Sequence, residues 1–398
     1  MLKKAIKKAM KSRHIKELYK YLFFLIGLLP VKKNVIIFES FLGKQYSDNP
    51  RALYEYMIAH NYQKSFKMYW SINGKDIQKV QNYDITIIKR LSLKWLWLMP
   101  RAKYWIVNSR LPIWIPKPKN TVYLQTWHGT PLKKLALDMK EVHMPGTNTE
   151  KYKANFLYES RKWDYLISPN RYSTNIFKRA FQFDKEMIES GYPRNDYLYN
   201  NNNDNYISQL KEKLGLDKDK KIILYAPTWR DNSFYGKGRY KFDLELDLSL
   251  MKEKLGNDYI ILLRMHYLVA EHLDLSECES FIYDFSKYED IRDLYLVSDI
   301  LVTDYSSVFF DYANLRRPML FFVHDIDNYR DNLRGFYFDF ETEAPGPLVK
   351  TTQELINEIV AMEDGQFSKV QYLDNFREKF CKLEDGNASK RVIDKIIK

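Results

Sequence analysis

Two cysteines in 398 residues, Cys278 and Cys381, are too few for a disulfide framework and lack metal-ligand spacing. That scarcity favours a reducing compartment. Glycine is sparse at 14 residues, and none of it forms a GxGxxG fingerprint or a P-loop, so those two modes of nucleotide binding are not expected. GxSxG and HExxH are also missing, which removes the α/β-hydrolase elbow and the zincin site. No apolar run approaches the roughly 20 residues needed to span a bilayer. Neither an internal repeat nor a heptad run occurs, so solenoids and coiled coils are excluded.

Aromatic and apolar residues are plentiful. At 16% aromatic and 45% hydrophobic, the chain can build substantial cores and does not read as disordered. Its length fits roughly two to three domains. The formal charge of +12 is unevenly placed: residues 1–33 carry ten Lys or Arg against the single acid Glu17, a local +9 that leaves +3 for the other 365 residues. In this arm Leu2, Ile6, Ala9, Met10, Ile15, Leu18 and Leu22 recur at near-helical spacing among lysines, and the apolar run Tyr21–Leu29 stops at Pro30. No small-x-small cleavage site follows, so a secretory signal does not fit. A basic amphipathic helix lying in an anionic membrane surface fits better. An ordinary domain helix with a lysine-rich solvent face is the competing reading. No nucleic-acid motif or basic stripe accompanies the arm, and no nucleic-acid partner is expected.

Downstream, strand-like and helix-like segments alternate as in βαβ units. Strands are predicted at Val35–Glu39, Phe66–Ser71, Ile85–Ile88, Tyr104–Asn108, Val122–Gln125 and Tyr165–Ser168, with helices at Pro50–Ala59 and Tyr172–Ala180. The asparagine-rich stretch Tyr199–Tyr206 reads as an inter-domain linker. A second series is predicted at Ile222–Tyr225, Tyr259–Leu263, Phe281–Tyr283, Ile300–Thr303 and Met319–Val323, with a terminal helix over Ala388–Ile397. The expected fold is α/β, with two Rossmann-like domains facing a cleft. They cover residues 34–204 and 205–398, preceded by the arm 1–33.

The most chemically loaded stretch is TWHGTPLKK, Thr126–Lys134, directly after a predicted strand. Ligands of open α/β sheets collect at the carboxyl ends of strands. His128 there can move a proton near neutral pH. Gly129 permits close backbone approach to a ligand, and Lys133 and Lys134 offer charge to anionic oxygens. A strand-to-helix turn with solvated side chains explains the same residues equally well. In the second series, YAPTWRD leaves a strand into Pro227, Thr228 and Arg230. LLRMH ends on Arg264 and His266, which share a side if the strand continues. TDYSS places Ser306 and Ser307 at a helix start, an anion cradle, with Asp311 about one turn on. Each residue has a dull account as cap, ion-pair partner or core histidine. Three successive strand ends carrying phosphate-compatible groups weigh more together. Asp217/Asp219 and Asp325/Asp327 have the spacing of a metal-dependent nucleotide-sugar site, but an essential metal is not expected.

YLQTWHGTPLKKL, GYPRND, YAPTWRD, LLRMH, TDYSSVFFDYANLRRPMLFF and LRGFYFDFETEAPGP, with ESFLGKQYSDNPRALYEYM ahead of them, resemble the CDP-glycerol:poly(glycerophosphate) glycerophosphotransferases that build wall teichoic acids. The likeness runs from Asn34 onward with the motifs in the family's order. It implies a two-domain GT-B architecture and a peripheral, monotopic association with the cytoplasmic face of the cell membrane. The implied chemistry is attack by an alcohol oxygen of a lipid-linked acceptor on the β-phosphorus of CDP-glycerol, with CMP leaving. By resemblance, His128 is the general base, His266 and Arg264 hold the pyrophosphate, and Ser306 and Ser307 bind phosphate oxygens. Asp311, Pro227, Thr228 and Arg194 match donor-binding positions. Leu132, Lys133, Lys134, Leu135 and Ala136 match a donor-binding stretch on the N-terminal side of the cleft. Met265, between the two pyrophosphate residues, joins the substrate set, and Arg230 and Arg334 are further anion contacts. No cofactor is implied, because CDP-glycerol is a substrate. The implied partners are CDP-glycerol, an undecaprenyl diphosphate-linked disaccharide or glycerophosphate primer, and the anionic membrane; a homo-oligomer stays open.

The span of the chain, a membrane arm plus a catalytic pair of domains, favours a compact enzyme adding one or a few units to a primer. A CDP-ribitol enzyme and the primase that places the first glycerophosphate are its competitors. A GT-B nucleotide-sugar glycosyltransferase would share helix-bound phosphates without needing the whole motif series.

Overall fold

The computed structural model describes residues 13–142, 147–228, 234–236, 239–240, 245–265, 278, 280–330, 335–363 and 370–397. The chain forms two compact units: residues 1–128, 147–194 and 387–398 in the first, and residues 129–146 and 195–386 in the second.

The first unit is built on a seven-stranded parallel sheet. Its strands are β1 (Lys32–Glu39), β2 (Lys67–Ile72), β3 (Ile87–Lys89), β4 (Ala102–Val107), β5 (Val122–Gln125), β6 (Tyr165–Ser168) and β7 (Glu186–Glu189), in the order β3-β2-β1-β4-β5-β6-β7. Val35, Ile36, Ile37 and Phe38 are all buried, the near-continuous apolar run of a strand covered on both faces. The strand order reverses between β1 and β4, so their carboxyl ends flank the crevice where such sheets hold ligands.

The second unit carries a six-stranded parallel sheet of β8 (Lys221–Tyr225), β11 (Tyr259–Leu263), β12 (Ile282–Asp284), β13 (Ile300–Thr303), β14 (Met319–Phe322) and β15 (Leu348–Val349), in the order β12-β11-β8-β13-β14-β15. A separate hairpin pairs β9 (Phe234–Gly236) with β10 (Arg239–Tyr240). Here the order reverses between β8 and β13. All the predicted strands are present with ends shifted by no more than three residues. β7 was not anticipated: its sequence EMIE buries only Ile188, so no apolar period marks it. β15 spans two residues, too short to carry a pattern.

The domain boundaries differ from the expected ones. The Tyr199–Tyr206 stretch is not a linker: helices span Asp196–Asn201 and Asp204–Lys213, and Asn203 caps the second by accepting from the Tyr206 N–H at 3.0 Å. Asn203 thus serves as a helix cap, and the chain instead changes unit after Arg194. The terminal helix, Ala388–Ile396, belongs to the first unit, where Val392, Ile393 and Ile396 join Ile36, Phe38 and Trp70 in one core.

Nor do residues 13–33 form a separate body. The helix Arg13–Gly27 packs on the first unit through Tyr19, which meets Trp95 and Trp114 at 6.3 and 5.7 Å, and Phe23, which meets Trp95 and Trp105 at 5.6 and 6.2 Å between ring centroids. Phe23 is fully buried, while Leu18, Tyr21, Leu22, Phe24, Leu25, Leu28 and Leu29 stay exposed. The lysine-rich residues 1–12 lie outside the described residues. No described helix is long and apolar enough to cross a membrane. Phe23→Ala is expected to destabilise the first unit by about 3 kcal/mol through the cavity it leaves, whereas Phe24→Ala stays within about 0.5 kcal/mol. Urea unfolding of the two variants checks this.

Candidate active site

The first polar residue after β4 is Asn108, fully buried. Its Oδ1 accepts from the Phe41 N–H at 2.8 Å, and its Nδ2 donates to Asp48 Oδ2 at 2.5 Å. Its backbone carbonyl lies 2.7 Å from Nδ1 of His128. A carbonyl can only accept, so Nδ1 carries the proton and a neutral ring keeps its Nε2 lone pair free. Asn108 and Phe41 follow β4 and β1, so this cluster stands at the point where the sheet order reverses.

The turn that delivers His128 is strained. Trp127 has φ of 53°, the left-handed region that a bulky residue rarely adopts. Asn49 holds it there by donating to the Thr126 and Trp127 carbonyls at 3.3 and 3.1 Å, and the Trp127 N–H donates to Gln125 Oε1 at 3.0 Å. The indole is buried against Phe156, Phe177 and Phe181. The chain then turns His128 outward, stacked on Trp127 at 4.6 Å and edge-on to Phe41 at 5.7 Å. Its ring is exposed to solvent, yet protein fills most directions around it. That crowding pushes the imidazole pKa below its ordinary value; the Asp48 carboxylate and the Asn108 carbonyl oppose the shift, and Arg194 and Arg110 add to it. A base that is neutral at pH 7 is the result.

Asp48 heads the helix Asp48–Ala59 with φ of 64°, also left-handed, and receives Arg194 Nη1 at 2.6 Å. Arg194 was expected to touch the donor. The structure ties it instead to Asp48 and lays it over the Tyr192 ring at 4.5 Å, 7% exposed and within the first unit. Its backbone N–H donates to Asn49 Oδ1 at 3.1 Å.

The chain passes to the second unit at the His128–Gly129 bond. A Cβ on Gly129 would stand 3.1 Å from Ser307 Oγ. The glycine therefore serves close packing on Ser307, where a ligand had been expected. The segment Leu132–Ala136 belongs to the second unit, not to the N-terminal domain as expected. The Tyr337 N–H donates to the Leu132 carbonyl at 2.8 Å, the Lys134 N–H to the Gly335 carbonyl at 3.2 Å, and the Leu135 N–H to the Tyr337 hydroxyl at 3.0 Å. Lys133 Nζ lies 5.1 Å over the Tyr329 ring. Leu132 and Ala136 are buried, while Lys133, Lys134 and Leu135 are half-buried.

Around the β8/β13 reversal the structure gathers Pro227, Thr228, Ser306 and Ser307, all half-buried. The Thr228 N–H donates to Asp304 Oδ1 at 2.8 Å, and Thr303 Oγ1 donates to the Ala226 carbonyl at 2.7 Å, locking the two strand ends together. The helix begins at Val308, and its cap residue Ser307 makes no side-chain capping bond, so both serine hydroxyls precede it. Asp311 is buried and accepts from Asn195 Nδ2 at 3.2 Å.

β11 ends at Leu263, before Arg264, so the two-residue strand periodicity does not relate Arg264 to His266. Arg264 Nη1 donates to the carbonyls of Phe285, Ser286 and Tyr288 at 2.6, 3.0 and 2.5 Å, which fixes the guanidinium. Burial lowers its pKa from the usual arginine value. Met265, expected among the substrate residues, is 3% exposed and part of the hydrophobic core, its N–H donating to Ser286 Oγ at 3.0 Å. His266, Arg230 and Arg334 lie outside the described residues. Among the described residues no cluster of three His, Cys, Asp or Glu is placed to hold a metal. Asp325 accepts from the Tyr305 hydroxyl at 3.1 Å, and Asp327 pairs with Arg330 at 3.2 Å.

With this geometry in place, comparison with known proteins is decisive. The model of the family described as CDP-Glycerol:Poly(glycerophosphate) glycerophosphotransferase matches residues 21–398. The chain belongs to this family. It is 62% identical to a teichoic acid poly(glycerol phosphate) polymerase of Bacillus subtilis (strain 168), covering 99% of this chain and 53% of that protein. It is 58% identical to a polymerase of the same name from Bacillus spizizenii (strain ATCC 23059 / NRRL B-14472 / W23), covering 96% of each. It thus spans about half of one relative and nearly all of the other. A solved structure of the wall teichoic acid polymerase TagF, a histidine-to-asparagine variant soaked with CDPG, is 44% identical with a TM-score of 0.88, covering 98% of this chain and 96% of that one.

Sequence reasoning missed Asp48, Asn49, Asn108 and Trp127. The run SDNP, polar residues opening a helix after a glycine-bearing loop, was their most visible sign. The His128 ring is expected to titrate below the ordinary imidazole value because the protein around it disfavours the charged form. Asp48→Asn removes a carboxylate that favours imidazolium and is expected to move it lower still. Ring-proton NMR, simplified by only seven histidines and assigned with His128→Gln, reads both values. A rise on Asp48→Asn would contradict the arrangement.

Proposed function

We propose that this chain transfers glycerol phosphate from CDP-glycerol to a lipid-linked teichoic acid primer, releasing CMP. The observation that carries the reading is His128, its Nδ1 bonded to the Asn108 carbonyl and its ring exposed at the sheet reversal, in a chain of this family. Nε2 takes the proton of the acceptor hydroxyl as that oxygen bonds to the β-phosphorus. The bond from that phosphorus to the CMP oxygen breaks, and CMP leaves. Phosphoryl transfer asks little more of a protein than positioning and charge neutralisation.

Pro227, Thr228, Ser306 and Ser307, at the sheet reversal of the second unit, hold the donor, as Rossmann-like sheets hold nucleotides. Arg264, oriented by three carbonyls, holds the pyrophosphate, with His266 beside it in sequence. Lys133 and Lys134 add positive charge, and Arg230 and Arg334 are further anion contacts. Arg194 acts through Asp48, and Asp311 through Asn195, by orienting neighbours. Glycerol is favoured over ribitol because the relatives sharing 62% and 58% identity are poly(glycerol phosphate) polymerases. The same likeness favours repeated addition over a single priming step.

The exposed apolar face of the helix Arg13–Gly27, continued by Leu93 at 83% and Trp97 at 47% exposure, is larger than a water-facing surface ordinarily tolerates. It docks the enzyme peripherally on the anionic cytoplasmic face of the membrane.

Purified enzyme given CDP-glycerol, CDP-ribitol or a UDP-sugar with a lipid-linked primer is expected to release CMP from CDP-glycerol. Release of UDP alone would replace this reading with glycosyl transfer. His128→Ala is expected to lose about 10²-fold or more in turnover, as for other general bases, while the fold survives as a cooperative melting transition. Phe24→Glu combined with Leu25→Glu is expected to weaken sedimentation with phosphatidylglycerol vesicles while donor affinity holds. Unchanged sedimentation, or a change of oligomeric state instead, would remove the membrane assignment.

A further inference from the structure

Among the charged groups around His128, Arg110 stands apart. It follows Asn108 by two residues, on the segment that leaves β4. That segment is pinned on both sides of it: Asn108 makes the bonds described above, and the Leu111 N–H donates to Glu159 Oε1 at 3.2 Å. The guanidinium sits over the Phe156 ring at 4.4 Å and the Tyr152 ring at 5.2 Å, both on the helix Thr149–Ser160. Stacking uses the π-face of the group and none of its five N–H donors.

Several other cations of the first unit have acids. Arg90 is paired with Glu39 at 3.0 Å, Arg51 with Glu55 at 2.7 Å, and Arg194 with Asp48. Glu159, the acid on the helix beneath Arg110, is committed to the Leu111 N–H, the Tyr123 hydroxyl at 2.9 Å and Lys162 at 2.8 Å. Among the described residues Arg110 makes no hydrogen bond or ion pair. It is half-buried, so its orientation is fixed while its donor edge is open. Its charge also bears on His128, adding to the forces that disfavour imidazolium, which places it within electrostatic reach of the proposed base.

A rigid, planar, unpaired guanidinium beside a base suits a phosphate oxygen pair, which it can hold with two parallel bonds. Resting on the glycerophosphate-transfer reading above, we infer that Arg110 binds the last phosphodiester of the growing acceptor chain and thereby selects acceptors that already end in glycerol phosphate. The attacking hydroxyl of such an acceptor belongs to a glycerol whose other end carries that phosphodiester. The anion is therefore always a few bonds from the oxygen that His128 deprotonates. An acceptor without a first glycerol phosphate has no anion there. A bound phosphodiester would also offset the positive charge of Arg110 and make His128 a stronger base once the acceptor is seated; Asp48 and Arg194 are the other charged groups of this unit that weigh on the ring.

The test compares two soluble lipid-linked disaccharide acceptors, one carrying a single glycerol phosphate and one bare, with CDP-glycerol as donor. The full chain is expected to prefer the glycerophosphate-bearing acceptor in kcat/KM. In Arg110→Gln that preference is expected to fall about 10-fold or more, the typical weight of a hydrogen-bonded charge, with the KM for CDP-glycerol unchanged. Arg110→Lys keeps the charge without the planar fork and is expected to retain an intermediate preference; it also carries the test if the glutamine variant fails to melt cooperatively. A raised donor KM with an intact acceptor preference would overturn the inference, because Arg110 would then hold the donor. Equal losses on both acceptors would overturn it in favour of a structural role. If the wild-type chain releases no CMP from CDP-glycerol with either acceptor, the transferase reading falls, and this inference with it. CMP release by the wild type together with an unaltered preference in both variants removes the inference alone.

Discussion

A buried amide has to find partners for its donors and acceptors, and at Asn108 that requirement holds three chain segments together. Its side chain joins the end of β1 to the head of the helix Asp48–Ala59, and its carbonyl takes the Nδ1 proton of His128. Leaving one such buried group unpaired costs about 1–3 kcal/mol, so the three segments are fixed as a set. The consequence is chemical as well as structural. The proton on Nδ1 is assigned by the backbone, and the reactive nitrogen follows from it. The strained backbone at Trp127 and Asp48 is sustained by the same set: Asn49 holds the Trp127 carbonyl, and Arg194 holds the Asp48 carboxylate.

Some cations that serve the scaffold are neutralised by acids, as Arg90 is by the 1%-exposed Glu39 at the end of β1, and others are held by carbonyl oxygens, as Arg317 is by Tyr295, Leu296 and Ser298. Cations proposed to meet phosphate are oriented by groups that leave their charge intact. Aromatic faces do this for Arg110, and carbonyl oxygens do it for Arg264. Desolvation makes each of these positive charges more eager for an anion than a solvated lysine would be.

The parallel sheets were legible because their buried strands are long apolar runs punctuated by polar ends, and β5, β11 and β13 start and stop where the pattern says. His128, Ser306 and Ser307 were legible for the same reason, as the polar residues next after strands that stop. What escaped reading depends on contacts distant in sequence. Nothing near Asn108 announces that it will meet residues 67, 60 and 20 positions away. GYPRND looked like a binding motif, and only the fold reveals that Arg194 answers Asp48, 146 positions earlier. The asparagines of residues 199–206 misled because a cap and a linker use the same amino acids. The packing of the helix Arg13–Gly27 was hidden in the same way, because Tyr19 and Phe23 are keyed to tryptophans some seventy to ninety-five positions away.

The return of the helix Ala388–Ile396 to the first unit has a consequence for the order of synthesis. Val392, Ile393 and Ile396 are part of the same core as β1 and β2, so the hydrophobic interior begun by residues 35–72 stays incomplete while more than three hundred residues are translated. The second unit, apart from its short 129–146 segment, is contiguous over 195–386 and can close first as it leaves the ribosome. During that interval the open sheet of the first unit presents apolar surface beside a helix with an outward apolar face. A nascent chain of this kind is therefore at its most adhesive before residue 388 emerges, when early contact with a membrane or a chaperone would shield what the finished core later buries.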